Sequence, residues 1–177
     1  MNYRRVFIEN SCVHIIVLSY NRMPIFIDNI DILRVAFTNV SQIYNFEIIA
    51  ICVLKDHIHM IIKPENIHEY PKIISSIKHC FSKNIGQVYP TYELKKGYTN
   101  KREKGLFQHR FYEHTITIQE ELNKHIDYIH YNPMKHYGIA PRDWEFSSFH
   151  KYVKNNIYEE NWCNFEDKNN IMNMNFE

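Results

Sequence analysis

An α+β fold built on one antiparallel sheet is what this sequence predicts, and three observations carry the prediction. Short runs rich in β-branched residues alternate with longer segments whose apolar residues recur at helical spacing. The elements come in the order strand, helix, strand, strand, helix, strand, helix. Only four glycines occur in 177 residues, and neither a P-loop nor a GxGxxG turn is present, which argues against a parallel nucleotide-binding sheet.

Residues 11–20, with Val13, Ile15, Ile16 and Val17, read as the first strand, and Pro24 breaks the run that follows. Asp28 is suited to cap a helix over 30–44, where Ile32, Leu33, Val35, Ala36, Phe37 and Val40 lie mostly at helical spacing. A second strand spans 46–54, Lys55-Asp56 makes a tight connection, and a third strand spans 57–63 until Pro64 ends it. Residues 67–88 form a helix with Ile73, Ile74, Ile77, Cys80, Phe81 and Ile85 along one face. Residues 89–105, with Pro90, Gly97 and several lysines, read as an exposed arm. A fourth strand spans 106–116. A last helix runs over 117–131 and stops near Pro133, because the residue before a proline avoids helical geometry. This order is the split β-α-β arrangement of a ferredoxin-like fold, with helices on one face, the first and third strands central, and a C-terminal helix added. Residues 1–154 form the folded domain, and the Asn-rich, acidic 155–177 reads as a loosely attached tail.

Composition excludes several classes of function. The longest apolar runs are strand-sized, far short of a membrane span, and no signal peptide is visible at the N-terminus. Four scattered cysteines (Cys12, Cys52, Cys80, Cys163) lack CxxC spacing, so neither a zinc knuckle nor a disulfide framework is indicated, and a cytoplasmic location fits. Net charge is +1 overall, yet residues 72–110 carry nine Lys/Arg against two acids while 159–177 carry five acids against one lysine. A basic middle of this kind can bind phosphates or simply be a solvated face.

The chemistry-bearing residues fall into two groups. His57-Ile58-His59 sits on the third strand, where side chains alternate, so both imidazoles share one face and can share one metal ion. About 70 residues later comes Asp127-Tyr-Ile-His-Tyr-Asn-Pro133, in which Tyr128 and Asn132 lie one helical turn apart on one face. If that face meets the histidine pair, the site has two nitrogen ligands, one amide oxygen and a phenol beside them. Such a set with open positions suits Mg²⁺ or Mn²⁺ engaging a phosphate oxygen. A phenol, whose reference pKa is about 10, needs such activation to act as a nucleophile.

Together these motifs resemble those of the HUH (histidine-hydrophobe-histidine) single-strand transposases, and in particular the REP-associated tyrosine transposases. Phe107-Gln-His-Arg-Phe-Tyr-Glu-His114, Asn132-Pro-Met-Lys-His136, Asp143-Trp-Glu-Phe-Ser-Ser-Phe-His-Lys-Tyr152 and the turn Arg22-Met-Pro-Ile-Phe26 are similar to that family as well, so the resemblance runs over about 13–162. It implies a ferredoxin-like nuclease that nicks single-stranded DNA, often beside a hairpin, through a 5′-phosphotyrosyl intermediate that another 3′-hydroxyl resolves, with no nucleotide cofactor. Carried over by position, Tyr128 is the nucleophile, and His57, His59 and Asn132 hold the metal. Related HUH transposases commonly carry glutamine where Asn132 stands. Either a monomer or a homodimer is compatible, and Arg110, Lys135, Lys95, Lys96, Lys101 and Arg102 are candidate DNA contacts.

Other readings stay open from the residues alone. The histidines can be packed sheet residues in a non-catalytic single-strand nucleic-acid-binding module, or water can replace Tyr128 as nucleophile in a metallonuclease. Tyr131 is a rival tyrosine better read as packing or base stacking. His109 and His114 read as structural histidines, and Trp144, Phe146 and Phe149 as core.

Overall fold

The structure, a computed structural model, describes residues 5–85 and 105–163. Strand β1 (Cys12–Leu18) leads to helix α1 (Ile30–Ser41), then β2 (Phe46–Val53), β3 (His57–Pro64), α2 (Tyr70–Ile85), β4 (Tyr112–Ile116), α3 (Gln119–Tyr137) and the short α4 (Phe149–Lys154). The sheet order is β2-β3-β1-β4 and every pairing is antiparallel, so β1 and β3 lie at the centre as the element order predicts.

Alternation divides the sheet into two faces with separate cores. Val13, Ile15 and Val17 of β1 and Ile58, Met60 and Ile62 of β3 pack beneath α1 and α2 with Leu33, Ala36, Ile73, Ile77 and Phe81. Ala50, Cys52, Ile61 and Ile116 line the other face, where α3 lays down Ile126 and Ile129. Burying an aliphatic side chain of this size contributes about 1.5–3 kcal/mol, and the rows on both faces hold the sheet between its helices. Trp144 closes the second core and donates its indole N–H to the Val53 carbonyl at 3.0 Å. Phe149 is fully buried, and Phe146 packs against both cores, so these aromatics are core as expected.

Besides shorter ends, such as α1 stopping at Ser41 rather than residue 44, four differences from the sequence reading stand out. Asn29, rather than Asp28, is the residue before α1, and its side chain donates back to the Ile25 carbonyl at 2.8 Å. The second helix begins as a 3₁₀ turn at Ile67–Glu69 before α2 proper. Regular β4 is short, and the segment before it joins β1 through a single bridge between Ser19 and Phe107.

The fourth difference matters most: α3 does not stop at Pro133 but continues one further turn to Tyr137. Proline removes the N–H that would bond the Ile129 carbonyl. The Asn132 side-chain amide compensates, with Nδ2 2.8 Å from the Tyr128 carbonyl and 3.5 Å from that of Ile129. Gly138, at φ 67°, ends the helix in the left-handed conformation that favours glycine, and its N–H bonds the Met134 carbonyl.

The segment expected to hang loosely from residue 155 is held at least as far as Trp162. Tyr158 stacks on Trp162, Phe149 and Tyr152, and its hydroxyl donates to Asp127 on α3. Among the described residues no helix is long and apolar enough to cross a membrane.

His130 sits under this aromatic cap, 2.8 Å from Ser148 Oγ, and burial, aided by nearby His150, holds its imidazole down at about 3. An unfolded histidine titrates near 6.5, so as pH falls the unfolded chain takes the proton first. The contribution is complete above about pH 6.5 and is lost progressively toward about 3. Urea unfolding near pH 7 and near pH 5 should therefore show His130→Gln losing about 2 kcal/mol less than the parent between the two conditions.

Candidate active site

The sheet face covered by α3 carries a row of imidazoles. His57 and His59 of β3 are 2% and 0% exposed, with ring centroids 4.9 Å apart. His57 Nδ1 lies 2.6 Å from Asp56 Oδ1, and Arg22 holds the other carboxylate oxygen at 3.5 Å. Arg22 and Asn21 adopt left-handed φ of 55° and 52°, a conformation costing non-glycine residues on the order of 1–2 kcal/mol. That turn after β1 thereby places a cation behind Asp56, and Ser19 N–H bonds the Asp56 carbonyl at 2.9 Å. With Nδ1–H given to the carboxylate, His57 presents Nε2 as its ligating nitrogen, the arrangement that orients metal-binding histidines.

Tyr128 arrives from α3 and is fully buried. Its ring meets His59 edge-on at 5.7 Å and His14 of β1 at 6.3 Å. Two turns further along, Lys135 donates from Nζ to the Tyr128 hydroxyl at 2.8 Å and lies 4.8 Å from the ring centroid. His136, next to it, brings a third imidazole to the pair, with its ring 4.8 Å from that of His57. One ligating nitrogen from each of His57, His59 and His136 falls within 4.8 Å of the others. Both Lys135 and His136 owe their position to the helical turn beyond Pro133.

Asn132 is buried one turn after Tyr128, with its amide nitrogen tied to its own helix. Its Oδ1 is buried and has no hydrogen-bond partner among the described residues. Leaving such an acceptor unsatisfied costs about 1–3 kcal/mol, a cost offset where a cation is bound. Three imidazole nitrogens, with a fixed carboxylate behind one of them, form a donor set that can hold a divalent ion, and imidazole suits a transition ion better than Mg²⁺, which favours oxygen.

The row continues beyond this cluster. His14 lies 5.9 Å from His59 and 4.9 Å from His125 by ring centroids. Burial pushes the His14 imidazole well below its usual range, and the neighbouring His59, His125 and His114 push the same way. Sequence reasoning singled out neither His14 nor His125. His14 was hidden in an apolar run whose alternation sets it opposite Val13 and Ile15, whereas His125 lies three residues before Tyr128 on the same helical face.

Of the candidate DNA contacts, Arg110 is exposed on the segment leading into β4 and Lys135 is at the tyrosine. Lys95, Lys96, Lys101 and Arg102 lie outside the described residues. A separate cleft of about 490 Å³ between α2 and residues 105–111 is lined by Arg5, Lys78, Lys83, His79 and His109. His109 therefore faces a basic groove, and His114 bonds Glu121 at 2.8 Å.

Residues 7–132 match the family described as "Transposase IS200 like". The chain is 37% identical over 164 residues to a Haemophilus influenzae protein bearing the name REP-associated tyrosine transposase, covering 91% of this chain and 92% of that one. It is 31% identical over 164 residues to the REP-associated tyrosine transposase of Escherichia coli, covering 91% and 90%. Its fold is similar to a solved REP-associated tyrosine transposase bound to a REP hairpin, with a TM-score of 0.79, 30% identity and coverage of 92% and 91%.

Because Asp56 fixes the ring of His57, Asp56→Ala should weaken Mn²⁺ binding about 10- to 100-fold, as read by isothermal titration calorimetry. Arg22→Ala, one step further out, should cost less.

Proposed function

The chain belongs to the IS200-like transposases, among the REP-associated tyrosine transposases, and from that premise we propose that it cuts and rejoins single-stranded DNA beside a hairpin through a covalent tyrosine intermediate. The observation that carries the reading is the burial of Tyr128 against His59, with Lys135 on its hydroxyl, in one chain. Domain 1–154 supplies every residue the chemistry uses, and a single copy holds both tyrosine and histidines.

A divalent ion held by His57, His59 and Asn132, with His136 beside them, would polarise the scissile phosphate and so make a phenol an adequate nucleophile. Tyr128 Oη forms a bond to phosphorus while the bond from phosphorus to the 3′-oxygen breaks. The phenolic proton is released and the departing 3′-oxygen is protonated, leaving a 3′-hydroxyl and a 5′-phosphotyrosine. Attack by another 3′-hydroxyl reverses these bond changes, restores the phenol and needs no nucleotide cofactor. Lys135 Nζ stabilises negative charge on the tyrosine oxygen as it enters and leaves, as a charged donor aimed at that oxygen does. Asp56 holds His57 in one tautomer. The basic cleft between α2 and residues 105–111, together with Arg110, offers phosphate-binding surface for a hairpin stem.

Incubation of labelled hairpin-bearing single-stranded DNA with Mn²⁺ or Mg²⁺ should yield a covalent protein–DNA adduct. The adduct is expected to vanish in Tyr128→Phe and persist in Tyr131→Phe. Cleavage that survives Tyr128→Phe would assign the attack to water, and binding without cleavage in either metal would favour a binding module. Lys135→Met should slow adduct formation about 100-fold while leaving hairpin affinity, measured by gel shift, within a few-fold.

A further inference from the structure

A second cluster of ligating side chains sits at the far end of the imidazole row, where α3 crosses the edge strand β4. Glu121 and His125 are four residues apart on α3 and so share one face, and His114 comes across from β4. His114 Nε2 lies 2.8 Å from Glu121 Oε1, and the rings of His114 and His125 stack with centroids 5.2 Å apart at 7°. One ligand atom from each of the three lies within 4.8 Å of the other two. Behind them, His125 Nδ1 is 2.9 Å from His14 Nδ1.

We propose that His114, Glu121 and His125 form a second cation site, distinct from the one at His57 and His59, that takes Zn²⁺ and fastens α3 to β4. Two imidazoles and one carboxylate form a donor set typical of zinc, and it disfavours Mg²⁺. In that state His125 coordinates through Nε2 while its Nδ1–H donates to His14, the outer hydrogen bond that fixes the tautomer of metal-bound histidines. Burial already holds His125 at about 4, so it stands neutral and ready to ligate near neutral pH. His114 and Glu121 are part-exposed, with side chains 41% and 32% accessible, which gives an ion a route from solvent. Without the ion, an ion pair so exposed contributes little. With it, the helix that carries Tyr128 is pinned one turn before the tyrosine. This site does not depend on the DNA chemistry proposed above.

The decisive background is the His57→Ala/His59→Ala chain, which removes the first pair. Titrated with Zn²⁺ alone in a calorimeter, it should bind one equivalent and melt at a higher temperature in zinc than without it. Adding His114→Ala or Glu121→Gln should weaken binding at least about tenfold, the lower bound for losing even an outer partner, and abolish the thermal shift. Circular dichroism without metal verifies folding, and should His114→Ala fail to fold, Glu121→Gln decides alone. A background chain that takes no zinc, or zinc binding unchanged by the added substitutions in folded protein, overturns the proposal.

Discussion

The site depends on α3 crossing the sheet as one unbroken helix. Its inward face delivers His125, Tyr128 and Asn132 from the body of the helix, and then Lys135 and His136 from the turn beyond Pro133. A break at the proline would leave Tyr128 without the ammonium on its hydroxyl and the His57/His59 pair without its third imidazole. Across the proline, the side chain of Asn132 bonds the Tyr128 carbonyl and lies 3.5 Å from that of Ile129, which the proline leaves without its usual donor. The same side chain presents a buried oxygen with no partner among the described residues. The far end of α3 is anchored too, by the Tyr137 hydroxyl, which accepts from Lys55 N–H at the β2–β3 turn.

The interface between α3 and the sheet is expensive to build. Polar imidazoles occupy positions where Ile61 and Ile126 show that apolar residues fit. The fold accommodates them by pairing, His57 with Asp56 and His14 with His125, and burial keeps His14 and His125 neutral. Neutral imidazole is also the form that binds metal, so the same burial that costs stability at low pH prepares the row for cations. The opposite face of the sheet, under α1 and α2, is entirely apolar along Val13, Ile15, Ile58 and Met60, and supplies the rigidity the site needs.

Much of this was legible in the sequence, for identifiable reasons. Alternation on the third strand put His57 and His59 on one face, and helical spacing put Tyr128 and Asn132 on another, so the pairing needed only the element order to bring them together. The end of α3 was not legible, because the proline rule describes the backbone alone and the compensating bond comes from a side chain. His136 was lost with that turn. His14 was invisible because a histidine within a β-branched run reads as one more buried strand residue, and only the pairing of β1 beside β3 shows that it faces His59. Asp56 looked like a turn residue until Arg22, held in a left-handed turn, placed it against His57.

The central claim is that Tyr128 forms the covalent bond to DNA. Proteolysis of the adduct trapped with hairpin-bearing single-stranded DNA, followed by mass spectrometry of the nucleotide-bearing peptide, tests it most directly. The account predicts a 5′-phosphate attached at Tyr128, and a released strand ending in a 3′-hydroxyl. A phosphate on Tyr131 or another side chain, or a 5′-phosphate set loose with no peptide attached, would contradict it.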